Sequence, residues 1–100
     1  PALSFESVED CMIRGFTLQG GVRCSDSDLT IHDCVVQNQN GHAGIEATEG
    51  STVTFSGTIS SSGGGIAIRA SGRSRVVLQS PFAVHEDDRI LMEPGCQVVF

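Results

Sequence analysis

An all-β solenoid, a coil of short strands stacked rung upon rung, is the fold class this sequence predicts, and three observations predict it. A glycine followed by an alternating strand recurs: Gly21-Val22-Arg23-Cys24-Ser25, Gly44-Ile45-Glu46-Ala47-Thr48, Gly65-Ile66-Ala67-Ile68-Arg69 and, less regularly, Arg89-Ile90-Leu91-Met92-Glu93. The leading aliphatics are spaced by 23 (Val22 to Ile45), 21 (Ile45 to Ile66) and 24 residues (Ile66 to Ile90). Turn-forming clusters, Asn38-Gln39-Asn40-Gly41 and Ser60-Ser61-Ser62-Gly63-Gly64-Gly65, separate the repeats, since Gly and Asn tolerate left-handed backbone. Recurrence at such a period marks an architecture in which each repeat buries its face only by stacking on its neighbours. Val22, Ile45, Ile66 and Ile90 are therefore expected in one buried file.

The chain reads as one module, residues 1–100, with rungs near 1–21, 22–44, 45–65, 66–89 and 90–100. In the first rung, Leu3-Ser4-Phe5, Cys11-Met12-Ile13 and Phe16-Thr17-Leu18 each alternate. Leu3 to Cys11 spans eight residues, as does Ile90 to Val98, so the first and last rungs superimpose. A helical turn competes here, because Phe5, Val8 and Met12 lie at helical spacing and Ser7 with Asp10 mimics a capping box; the strand reading is preferred. In the second rung Val22 and Cys24 point one way, and Leu29-Thr30-Ile31 alternates after the Ser25–Asp28 turn. The third repeats this with Ile45, Ala47, Val53, Phe55 and Ile59. The fourth contributes Ile66, Ile68, Val76, Leu78, Phe82 and Val84. Ile66 to Val76 is ten residues against eight from Ile45 to Val53, which predicts a two-residue insertion in an exposed loop at Ser71-Gly72-Arg73-Ser74. The fifth rung turns at Pro94-Gly95 and ends on Phe100, a core position aligned with Phe55 and Leu78. A free-standing solenoid needs capping, so the sequence reads as a fragment with uncapped ends, or as a piece whose ends are covered by neighbouring segments of a larger protein.

Composition narrows the function. A formal charge of −6 argues against a nucleic-acid or anionic-membrane partner. All six cations are Arg, which excludes Lys chemistry, and the lack of Trp and Tyr removes the favoured stacking platforms for sugars and bases. No run reaches the ~18 apolar residues of a membrane span, and no signal segment opens the chain. Cys11, Cys24, Cys34 and Cys96 include no CxxC pair, so a zinc site is not expected. Cys11 and Cys24 fall where aliphatics stand elsewhere and read as reduced core thiols, which suits an intracellular compartment.

With three short strands per rung and Gly-Ile openings, the stretches "GVRCSDSDLTIHDCVVQNQNGHAGIEA" and "GIAIRASGRSRVVLQS" resemble the right-handed parallel β-helix family, the pectate-lyase-like superfamily with its carbohydrate-binding and sugar-hydrolase repeats. The resemblance covers nearly the whole chain and implies the fold, an all-β right-handed parallel β-helix of about four and a half rungs. It implies no single activity: such proteins include polysaccharide lyases, hydrolases, phage tailspikes and binding scaffolds. In the enzymes the outward strand face forms a polysaccharide groove, with an arginine base and carboxylates holding calcium.

On this register two outward columns form, Arg23–Glu46–Ala67–Leu91 and Ser25–Thr48–Arg69–Glu93, with strands ~4.8 Å apart. Arg23, Glu46, Thr48, Arg69 and Glu93 are thus the candidate binding residues. Opposite charges on adjacent strands also stabilise the sheet by ~0.2–1 kcal/mol each without any ligand. Glu46 and Glu93 are two rungs, roughly 10 Å, apart and cannot share a calcium ion. Among the acids Asp26, Asp28 and Asp33, Asp26-Ser27-Asp28 begins like an EF-hand loop but lacks its Gly and distal Glu, and Asp33 lies on the next bend, so the cluster reads as a solvated turn. Gly41-His42-Ala43-Gly44 and Asp87-Asp88 are similar to two polygalacturonase signatures, yet in reversed order and interrupted by Ala43. His85-Glu86-Asp87-Asp88-Arg89 reads as a charged loop tip. The expectation is a non-catalytic binding or scaffold module of a larger protein, with no metal and no cofactor, recognising a protein or glycan along its outward face. The alternative is a polysaccharide lyase or glycoside hydrolase acting on acidic glycans through Arg69 and nearby carboxylates.

Overall fold

The computed structural model describes residues 3–38, 43–61, 66–84 and 89–99, and every regular element among them is a strand. One sheet orders β1 (Leu3–Glu6), β4 (Val22–Ser25), β6 (Ala43–Thr48), β8 (Ile66–Ala70) and β10 (Arg89–Met92). The other orders β2 (Cys11–Arg14), β5 (Asp28–Asn38), β7 (Thr52–Ser61), β9 (Arg75–Val84) and β11 (Gln97–Val99), with β3 (Thr17–Gln19) also on β5. Each pairing is parallel, and each coil gives one strand to the first sheet before crossing to the second. The chain is a β-solenoid. The third strand expected per rung is the far half of a bent one: pairing shifts register between Ile31 and Cys34 and between Phe55 and Gly57 as β5 and β7 round a corner. Only in the first rung is it separate, as β3. A helix does not form there, since Ser7 (φ 53) and Asp10 (φ 52) adopt left-handed backbone at the ends of a turn.

The buried file differs from expectation at one member. Val22 pairs Ile45, but Ile45 pairs Ile68, and Ile68 pairs Ile90; Ile66 lies over Ala43 instead. The rungs are then even, at 23 residues (Val22 to Ile45), 23 (Ile45 to Ile68) and 22 (Ile68 to Ile90). The physical cause lies in the turn that follows: with Ile68 over Ile45, the same eight-residue step brings Val76 over Val53 and Ser74 Oγ to the Ser51 N–H. The repeat unit is therefore Ala67-Ile68 and not Gly65-Ile66. A two-residue slip keeps side chains on the same face, so Ile68 still points inward and Arg69 outward although the rows differ; Ala67, expected outward, is buried. The predicted insertion also disappears, because Ile68 to Val76 is eight residues, the same as Ile45 to Val53.

The interior is a stack of Ile, Val, Leu, Ala and Cys around Phe55, whose ring meets Phe82 edge-on at 5.8 Å and 89°. All four cysteines are free thiols. Cys24 is fully buried, and burial, with Cys11 adding, pushes its pKa up to about 12.

Where the first sheet turns into the second, three buried serines form a ladder. Val8 N–H donates to Ser27 Oγ (3.1 Å), Ser27 N–H to Ser51 Oγ (3.1 Å) and Ser51 N–H to Ser74 Oγ (3.2 Å). Each hydroxyl donates in turn to a carbonyl of its own turn, Ser25, Thr48 or Ser71, at 2.7–2.9 Å. The Ser27 N–H would otherwise be buried without an acceptor, at a cost of ~1–3 kcal/mol, whereas the Ser51 N–H also reaches the Thr48 carbonyl at 3.3 Å. Each serine stands two residues before an inward aliphatic (Leu29, Val53, Val76), and Cys96 holds the same place before Val98. Ser74, expected in an exposed insertion, is buried.

Candidate functional site

The outward face of the first sheet presents the predicted residues, in a rearranged pattern. Strand alternation turns Arg23 and Glu46 outward from β4 and β6, and their registry brings Arg23 Nε to 3.2 Å from Glu46 Oε1. The corrected register places Arg69 on the other side of Glu46, so one column reads Arg23–Glu46–Arg69–Leu91. Ala67, expected in that column, is buried, and Arg69 does not stand over Glu93. Glu93 follows β10, the last strand of the first sheet, its N–H donating to the Ala70 carbonyl at 3.0 Å. Thr48 lies over Ser25 as expected, and its Oγ1 donates back to the Cys24 carbonyl (3.2 Å), which fixes its rotamer.

These side chains border an open groove of about 550 Å³ lined by Glu46, Thr48, Arg69, Ala70, Ser71, Leu91, Met92 and Glu93. Four of the five candidates share it. Arg23 stands outside and acts on it through Glu46. The groove is lined by one guanidinium, two carboxylates and the apolar side chains of Leu91 and Met92, a mixture that suits an extended, amphipathic ligand running across the strands.

The other motifs separate in space. Asp26 (φ 50) sits in the first turn of its rung and Asp33 (φ 55) at the opposite corner. Ser7 Oγ reaches Asp26 Oδ2 at 3.4 Å and Ser25 Oγ reaches Glu49 Oε2 at 3.1 Å, so these acids are engaged by turn hydroxyls of neighbouring coils. Among the described residues no three His, Cys, Asp or Glu side chains converge on a metal-sized space. Gly41, His42, residues 62–65, residues 85–88 and Phe100 lie outside the described residues.

A hydroxyl–imidazole pair went unnoticed in the sequence. Ser56 Oγ lies 2.9 Å from His32 Nδ1 and accepts from the Asp33 N–H at 3.1 Å; the imidazole tautomer sets which of the hydroxyl and the ring donates between them. Ser56 is only 2% exposed. A nucleophile needs access to its substrate; this serine instead ties down the corner where Asp33 takes left-handed backbone. Its signal in the sequence is faint, a lone serine one coil beyond a histidine.

No curated protein and no solved structure matches the chain. The family model described as "Right handed beta helix region" matches residues 3–98, and with parallel strands coiling between two sheets over that same span, the chain belongs to the right-handed β-helix family.

Proposed function

We propose that this β-helix is a non-catalytic binding module that holds an extended partner along the outward face of its first sheet. The observation that supports this is the groove lined by Glu46, Thr48, Arg69 and Glu93 together with Leu91 and Met92. Alternating charges read the polar groups of a ligand, and the apolar side chains take its own. A protein segment fits this mixture better than a glycan, since the chain has no Trp or Tyr to stack on a sugar ring. Arg23, paired to Glu46, orients the carboxylate and is a positioning residue.

The test is a joint Arg69→Ala and Glu46→Gln variant, titrated against an arrayed library of extended peptides and against polygalacturonate. Binding by the parent chain should weaken about tenfold or more in the variant, as removal of charge-assisted contacts implies, with the thermal midpoint nearly unchanged. Equal affinity in both proteins counts against the reading. The enzymatic alternative is separated by incubating the chain with polygalacturonate, with and without calcium. Turnover abolished by Arg69→Ala would replace a binding module with a lyase or hydrolase.

A further inference from the structure

We propose that the corner where β5, β7 and β9 bend carries a site for a long basic side chain, lysine or arginine, of a partner protein. The site shares no residue with the groove on the first sheet and does not rest on it.

The corner differs in length from coil to coil. Two residues round it in the second coil (His32 and Asp33, between Ile31 and Cys34) and one in the third (Ser56, between Phe55 and Gly57). Three round it in the fourth (residues 79–81, between Leu78 and Phe82). The short corner of the third coil is thus drawn in between two longer ones. Ser56 is buried there, and a hollow of about 230 Å³ opens beside Gly57, its lining including Asp33, Val35, Thr58, Phe82 and Ala83. Gly57 (φ 131) cannot carry a side chain to fill it, since a Cβ would collide with the Cys34 carbonyl.

Asp33 is the one charged residue in that lining, and it is exposed. Ser56 Oγ accepts from its N–H at 3.1 Å, which holds the left-handed backbone (φ 55) that carries the carboxylate. The acids of the other turns are engaged, Asp26 by Ser7 and Glu49 by Ser25. Among the described residues no hydrogen bond or ion pair engages the Asp33 carboxylate, and Arg14, over the neighbouring His32, makes no ion pair with it. Beside that acid stand apolar Val35, Phe82 and Ala83 and the Thr58 hydroxyl. Lysine and arginine match this mixture: the aliphatic stem packs on apolar surface while the charged head reaches a carboxylate. The formal charge of −6 draws a basic protein segment toward the chain.

The test is an amide chemical-shift titration of the chain with short blocked glycine peptides carrying a central lysine, arginine or norleucine. At least one basic peptide should shift the amides of Asp33, Gly57 and Thr58 saturably, and the norleucine peptide should not. Asp33→Asn keeps a residue tolerant of left-handed backbone and should weaken that binding about two- to fivefold, the range of an exposed ion pair. Thr58→Glu, at an exposed position, adds a second carboxylate and should tighten it about two- to fivefold; if Asp33→Asn does not fold, this variant decides. The joint Arg69→Ala and Glu46→Gln variant should bind these peptides at the corner as the parent does, so the two sites stand or fall separately. No saturable shift at the corner, an equal response to norleucine, or parent-like affinity in Asp33→Asn would overturn the proposal.

Discussion

The middle coils and the end coils carry the same sequence figure, yet identical residues have different environments in them. Ile45 and Ile90 belong to one file of the first sheet, on strands that alternate in the same sense. Ile45 is fully buried, with Val22 below and Ile68 above; Ile90 is 36% exposed, and among the described residues its file neighbour is Ile68 alone. The same holds for the turn column, where Ser51 both gives and receives a ladder hydrogen bond. Core character in this fold is therefore set by position in the stack as much as by residue type.

The largest test of that contrast compares one substitution at both places. Ile45→Ala should cost about 2–5 kcal/mol, the loss for a fully buried aliphatic plus its cavity. Ile90→Ala should cost about 1 kcal/mol, since more of the side chain is already in water. Urea melts give both values. Equal losses would mean that the last coil is as closed as the third. Next in size is the ladder: Ser51→Ala strips the Ser27 N–H of its acceptor and should cost about 1–3 kcal/mol. Cys96→Ser changes the same column at its end and should stay within about 0.5 kcal/mol. A ladder made only of local turn bonds would show no such difference.

A pH series probes the interior of the middle coils. Burial, with Cys11 adding, holds the Cys24 thiol protonated up to about 12, whereas the unfolded chain releases that proton near 9.0. Above that lower value the unfolded state binds fewer protons, so the contribution present below pH 9 is lost as pH rises toward 12. The slope is at most about 1.4 kcal/mol per pH unit. Cys24→Val lacks the thiol and should flatten the curve between about pH 9 and 11. Parallel curves for the two proteins would show the thiol in contact with solvent.

The alternation of inward and outward residues was legible because strand period and burial period coincide: Val22, Cys24, Ile45, Ala47, Val53 and Phe55 declare their side without any knowledge of neighbours. The rows were less legible. Ile66 and Ile68 are equivalent by alternation, and the glycine at position 65 drew the alignment to the wrong one. The turn that follows selects Ile68, since from there the eight-residue step places Val76 over Val53 and Ser74 against Ser51, and that is a property of two coils together. The serine ladder could have been found from Ser27-Asp28-Leu29, Ser51-Thr52-Val53 and Ser74-Arg75-Val76, all in one phase. The Ser56–His32 contact depends on a bend in β5 and β7 that no local pattern announces.

The smallest predicted effect concerns the residues for which the row matters most. In the observed register Glu46 stands between Arg23 and Arg69, whereas the alignment through Ile66 would pair Arg69 with Glu93 and leave Glu46 a single cation. Arg23 is more than half exposed in this pair, so solvent screening limits the Arg23–Glu46 coupling to about 0.2–1 kcal/mol. Double-mutant cycles with Arg23→Gln, Glu46→Gln, Arg69→Gln and Glu93→Gln should give that coupling for Arg23 with Glu46, a smaller one of the same sign for Arg69 with Glu46, and none for Arg69 with Glu93. All should shrink in high salt. A coupling between Arg69 and Glu93 that exceeds the one between Arg69 and Glu46 would restore the two-residue slip and, with it, a groove whose arginine faces a different acid.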